Sequence, residues 1–407
     1  MRFRSLLLSR HVTPLVLCAA LLTPLGGLHA DDQPGPELKR VAAGLHEGHL
    51  FAPRLRPDGA WVAYGVREQK KGTYRTSYYA RELEGGVFHS VWPKAHPSFS
   101  EGEGTASFTD LTDFAWLPDG RYNAMVVEHK TKKKEVLLET INVRFSGSQD
   151  QSQPAVAPDG TQLVVVSEAD DSSGSDLWIC DTSHDSAPLR ITFTKENENA
   201  PEWHPSKPQI IHEVRNPLGG DIYLFDLGNF EQRPLVRSGT SDEILPSFSP
   251  DGLRFGYLSN ADSKDGLGWD LFVQTTGDTL SRPVIRNVRR SDRSRGYTWD
   301  PSGRFLVAVL NDEAAGYPLV IAPADGSSEP RVLFSTRDSM DPTMLSVGDQ
   351  VRLAWVALDP NAPPDKSYRI VFFADFSPAQ LGGLAGSSEP SSGSRGGLPT
   401  TTGQAGG

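Results

Sequence analysis

Pro246-Ser247-Phe248-Ser249-Pro250-Asp251-Gly252 runs straight into Leu253-Arg254-Phe255-Gly256-Tyr257-Leu258-Ser259, a tight-turn signal followed by a short apolar run. Proline presets φ for the first turn position, the aspartate can bond its own backbone, and glycine accepts a left-handed conformation. Working outward, Pro57-Asp58-Gly59, Pro118-Asp119-Gly120 and Pro158-Asp159-Gly160 repeat the signal. Pro205-Ser206-Lys207 and Pro301-Ser302-Gly303 are degenerate copies, and Leu345-Ser346-Val347-Gly348-Asp349 has lost the proline. Successive prolines lie 61, 40, 47, 45 and 51 residues apart. That period fits one four-stranded propeller blade per copy.

An apolar or aromatic residue stands two positions before each proline: Leu55, Trp116, Val156, Trp203, Phe248 and Trp299. After each turn comes a near-continuous apolar run, such as Leu163–Ser167 or Phe305–Leu310, suited to a strand covered on both faces. Third strands follow, several led by aspartate, as in Asp176–Asp181, Asp221–Asp226 and Asp270–Gln274. Six outer strands are legible after these, and a seventh is supplied by Lys39-Arg40-Val41-Ala42-Ala43 ahead of the first copy. The expectation is an all-β propeller over residues 38–376. Seven four-stranded blades are favoured, with six as the alternative, and the N-terminal strand closes the ring by completing the last blade.

The repeat, best seen in Pro246–Gly252 and in Asp221-Ile222-Tyr223-Leu224-Phe225-Asp226, resembles the WD-like propeller repeat of the TolB family. The resemblance covers the propeller part only and differs from TolB proper, which has a separate N-terminal domain. It implies a fold and leaves activity open, since one such fold hosts many functions.

The ends read differently. Arg2, Arg4 and Arg10 precede an apolar stretch from Val12 to Leu25, and Leu28-His29-Ala30 offers a cleavage site, so residues 1–30 are read as an export signal. The expected location is periplasmic or secreted, with no membrane span after the signal is removed. Residues 377–407 are read as a disordered Gly/Ser/Pro/Thr-rich tail, because so little apolar surface cannot offset ordering entropy. The 407 residues carry 39 Gly and 31 Pro, in keeping with a chain of many turns. The net charge of −11, moving to −14 without the three signal arginines, argues against a nucleic-acid partner. Cys180 remains alone after residue 30 and suits a buried strand.

Chemistry is sparse. No Gly-x-Ser-x-Gly elbow is present, which removes the peptidases that share this propeller type. His46-Glu47-Gly48-His49 pairs two imidazoles near the channel mouth, yet lacks a helix to align them for zinc. The loop Asn260–Asp270 has misplaced calcium-type ligands. No catalytic residue, metal site or cofactor is expected. The charge anomaly is Arg286, Arg289, Arg290, Arg293 and Arg295, five guanidinium groups in an acidic chain. Guanidinium forks match carboxylates and phosphates. Arg289, Arg290, Arg293, Arg295, His46 and His49 are therefore the candidate ligand-binding residues. The favoured function is a non-enzymatic scaffold that binds an envelope protein or anionic ligand at the channel face. The alternative is an enzyme using the channel, such as a metal-dependent lyase on acidic oligosaccharides.

Overall fold

The computed structural model describes residues 36–40, 49–70, 73–84, 88–90, 111–120, 123–128, 134–138, 150–168, 174–182, 188–263, 268–290, 295–362 and 368–386. Among them the strands form a β-propeller of seven antiparallel sheets, six of them four-stranded. The sheet of Leu111–Trp116, Asn123–Glu128 and Lys134–Leu138 has three strands, and its expected fourth strand at 142–146 lies outside the described residues. Five of the six complete sheets are meanders from an inner to an outer strand. In the fourth blade this order is Asn197–Trp203, Gln209–Asn216, Gly219–Asp226 and Glu231–Val236.

Second strands in the third to seventh blades are largely buried on both faces, as their apolar runs require. Phe305–Val309 is buried at every position, and Leu163, Val164 and Val165 are fully inaccessible. Each such side chain contributes about 1.5–3 kcal/mol of apolar burial. The turns behave as their residues dictate. Gly59, Gly120, Gly160, Gly252, Gly303 and Gly348 have φ between 62° and 75°. The carboxylates of Asp58, Asp159 and Asp251 accept the amide two residues ahead at 2.9, 2.9 and 3.0 Å. The degenerate fourth copy uses another device: His204 Nδ1 accepts the amides of Ser206 and Lys207, both at 3.1 Å.

Three blades are tied to the one before by a tryptophan two residues before the turn proline. The indoles of Trp116, Trp203 and Trp299 donate to the carbonyls of Arg54, Ala155 and Ser247 in the preceding blade, at 2.9, 2.9 and 3.2 Å. The inner strands also carry a recurrent bulge. Ala52, Gln153, Ala200, Leu245 and Asp341 have φ between 45° and 54°, and each precedes a proline. Asp341 Oδ2 accepts the amide of Ala52 at 2.8 Å across the first and last blades, and Gln153 accepts that of Ala200 in the same way.

The ring closes as expected. Lys39–Arg40 pairs with Phe372 and Phe373, so the last sheet reads Lys39–Arg40, Arg369–Phe376, Gln350–Leu358, Met340–Val347 from outside in. Arg352 reinforces this seam: it pairs with Asp375 at 2.6 Å and donates to the Gly59 carbonyl of the first blade at 2.8 Å. One boundary needs correction. The stretch from residue 377, expected to be disordered, begins with the helix Pro378–Ala385, capped by a reciprocal pair of bonds between Ser377 and Gln380. Leu381 and Ala385 pack into the core of the last two blades, which compensates the ordering of this short segment. Residues 387–407 lie outside the described residues, as do the expected signal residues 1–30. Cys180 is a buried free thiol, and desolvation pushes it up to about 12, which leaves it inert at neutral pH.

Candidate functional site

Because successive strands within each sheet are antiparallel neighbours, the turn between first and second strands lies at one end, with the loops entering the next blade at the other. This loop end carries the non-repeating side chains. The aspartates that lead third strands organise it. Asp221 accepts the Ser238 amide at 3.0 Å, and Asp270 accepts the Asn287 amide at 2.8 Å. Asp176 accepts the Thr192 hydroxyl at 3.2 Å and pairs with Arg190 at 2.6 Å. Each thereby fixes the chain leaving the fourth strand of its own blade.

The arginine cluster divides among partners on different blades. Arg289 pairs with Asp338 at 2.6 Å, donates to the Ser339 carbonyl at 3.0 Å and covers the Tyr317 ring at 3.7 Å. Asp338 also takes Arg369, and these two guanidinium groups hold its carboxyl below the usual range against the opposing effect of burial. Arg290 lies over Trp269 at 5.3 Å. Arg295 crosses the fifth blade, donating to the Pro246 carbonyl at 3.1 Å, and pairs with Glu202 of the fourth blade at 2.5 Å. Glu202 in turn accepts the Phe248 amide at 2.9 Å. Arg286 bridges Asp262 and Asp270 at 2.8 and 2.7 Å on the exterior. The forks of Arg286, Arg289 and Arg295 are thus already engaged by carboxylates of the protein itself. His46 and Arg293 lie outside the described residues, and only the backbone of His49, paired with Arg67, is described. Among the described residues, no group of three or more His, Cys, Asp or Glu is placed to hold a metal ion.

A different feature dominates the loop end. A cleft of about 700 Å³ opens at the junction of the third and fourth blades, lined by Thr194, Glu196, Tyr223, Gln232, Asp221 and Arg237 among others. Below it lie two buried ionisable groups of the fourth blade. Glu198, fully inaccessible, accepts the Thr194 hydroxyl at 2.8 Å through one oxygen, while its other oxygen has no hydrogen-bond partner. Burial lifts its carboxyl to about 7, and neighbouring Asp176 adds to the rise. His212, equally buried, sits with Nε2 3.2 Å from the side-chain nitrogen of Gln232. Desolvation drops its imidazole to about 3, so it is neutral. None of these cleft residues was among the candidate ligand-binding residues read from the sequence, although one signal existed: Ile210-Ile211-His212-Glu213-Val214 places two polar residues inside an otherwise apolar second strand.

The fold and this loop end define a β-propeller with variable loops on a repeated frame. No family model and no curated protein sequence matches the chain. Solved structures do resemble it. The chain is similar to an oligogalacturonate lyase from Vibrio parahaemolyticus, at 12% identity and TM-score 0.57, covering 86% of this chain and 96% of that one. It is also similar to the β-propeller domain of the trilobed protease from Pyrococcus furiosus, at 14% identity and TM-score 0.51, covering 81% and 95%. TolB from Acinetobacter baumannii matches at 13% identity and TM-score 0.40, covering 78% and 80%. At these identities the likeness is one of fold.

Proposed function

We propose that this protein is an exported, non-enzymatic binding scaffold that contacts an envelope protein through the loop end of its propeller. The observation that carries this reading is that the loops are pre-organised while their tips are free. Asp221 and Asp242 hold the backbone through Ser238 and Gly220 at 3.0 and 2.8 Å, yet Leu218, Arg237, Gly239 and Thr240 are exposed. Loops fixed in advance lose little entropy on docking, so more of the contact energy appears as affinity. No helix among the described residues is long and apolar enough to cross a membrane, which is compatible with a periplasmic or secreted location. In this reading Arg289, Arg290, Arg293 and Arg295 contribute to the face, Arg289 and Arg295 by exchanging Asp338 and Glu202 for carboxylates of an acidic partner surface.

The test compares the two ends of one blade. A photo-crosslinking residue replaces Leu218 at the loop end or Lys207 in the opposite turn, both exposed, in the full chain expressed in its native envelope. Position 218 is expected to trap one discrete protein that position 207 does not. Equal labelling at both positions, or none at 218, overturns the reading.

A further inference from the structure

We infer that the cleft between the third and fourth blades binds a cationic amine, an alkylammonium or guanidinium group, with Glu198 as its buried counter-charge. The inference goes beyond the docking reading and needs only the cleft. Four facts converge on it. The space, about 700 Å³, holds a small organic cation or one long basic side chain. The charges facing it are unbalanced: Glu196 and Asp221 line it and Glu198 and Asp176 lie behind, against Arg237 and Arg190. Arg190 is committed to Asp176 at 2.6 Å, and Arg237 reaches Asp221 only at 3.8 Å with its side chain largely in solvent. The ring of Tyr223 stands in the wall, and an aromatic face attracts a cation.

Glu198 supplies the decisive asymmetry. Its carboxylate is fully buried, one oxygen is satisfied by the lining residue Thr194, and the other has no hydrogen-bond partner. Lining residue Gln232 is close enough to the Glu198 carboxyl to favour its ionised form slightly, and also lies 3.2 Å from the neutral imidazole of His212. An anionic ligand would face added like charge here, and an apolar one would leave the negative wall uncompensated. A cation answers both, with Glu198 acting from behind the lining residues Thr194 and Gln232. Since burial holds Glu198 near 7, a bound cation shifts it toward the ionised form and releases its proton.

The experiment is calorimetric titration of the full chain at pH 6.5 with two probes, spermidine and the blocked peptide acetyl-Gly-Lys-Gly-amide, in buffers of different ionisation enthalpy. At least one probe is expected to saturate a single site with net proton release. Binding of spermidine alone points to a free polyamine, and binding of the peptide alone to a protein side chain; either supports the site. Glu198→Gln, which keeps the shape, is expected to weaken binding at least tenfold and to abolish proton release. Tyr223→Ala, which leaves the bond between Thr194 and Glu198 in place, is expected to weaken it several-fold without altering proton release. Failure of both probes to saturate, or unchanged affinity in both folded variants, overturns the inference. Leu218 also lines the cleft, but the titration uses the purified chain with no partner protein while crosslinking reads docking in the envelope, so the two readings fail separately.

Discussion

At one end of the fourth blade, His204 holds Pro205-Ser206-Lys207 through two amides; at the other, Asn216-Pro217-Leu218-Gly219 borders an open cleft. The first end performs the same task in every blade, closing a turn. The second differs from blade to blade. The turn end can repeat because a tight turn is satisfied locally, by one carboxylate or imidazole and its own amides. The loop end cannot be self-sufficient, since each loop must meet the next blade, and there charges, bulges and buried acids accumulate. Conformational constraint is concentrated at the first end and chemical variety at the second.

The comparison is broken most strongly at the ring seam, which lies at the turn end. Arg352→Ala leaves Asp375 without its bidentate partner and frees the Gly59 carbonyl. Loss of a buried pair partner costs about 3–5 kcal/mol, so a large drop in the denaturant midpoint is expected on chemical unfolding. Next comes Gly252→Ala. Gly252 has φ of 69°, and a Cβ there would sit 2.3 Å from His204 Cε1. A loss of roughly 2–3 kcal/mol is expected from strain and overlap together. Gly239→Ala at the loop end, where nothing lies within 4 Å, is expected to leave the thermal midpoint nearly unchanged. Equal effects at these two glycines would erase the distinction between the ends.

Smaller effects sharpen it through pH. Glu198 is raised to about 7, so the fold disfavours its ionised form. Its contribution is greatest below the unfolded carboxyl value near 4.5 and is lost as pH rises through about 7. Glu198→Gln is therefore expected to be more stable than the parent by roughly 1–2 kcal/mol at pH 8, with little difference at pH 4. His212 has the opposite sign. Its imidazole is lowered to about 3, so stability is full above 6.5 and falls as pH drops toward 3. His212→Gln is expected to flatten that acid limb in a pH series of melting curves. The smallest effect belongs to one self-satisfied turn: Asp159→Ala removes bonds to Thr161 at an exposed site and is expected to cost about 0.5–1 kcal/mol. An unchanged unfolding midpoint would show that glycine alone holds these turns.

The turn copies, the apolar second strands and the closing strand at Lys39 were all legible, because each depends on neighbours close in the chain or on a period that recurs. A further periodic signal went unread. Pro53, Pro154, Pro201 and Pro246 each stand four residues before the turn proline, and they mark the bulged inner strands. The helix Pro378–Ala385 was hidden within a glycine-rich segment, since only contact with the last two blades compensates its ordering. The arginine cluster was conspicuous in the chain because its members are adjacent there. Folding then distributes Arg289, Arg290 and Arg295 to Asp338, Trp269 and Glu202.

By itself, then, the amino-acid sequence determined the blade: a proline-aspartate-glycine turn and its apolar strands are satisfied within about fifty residues, so their pattern is local and repeats. Tertiary structure alone decided the cleft. Glu198 and His212 are ordinary polar residues until the third and fourth blades close over them. Removal from water, which no local pattern encodes, then moves one toward neutral pH and the other far below it.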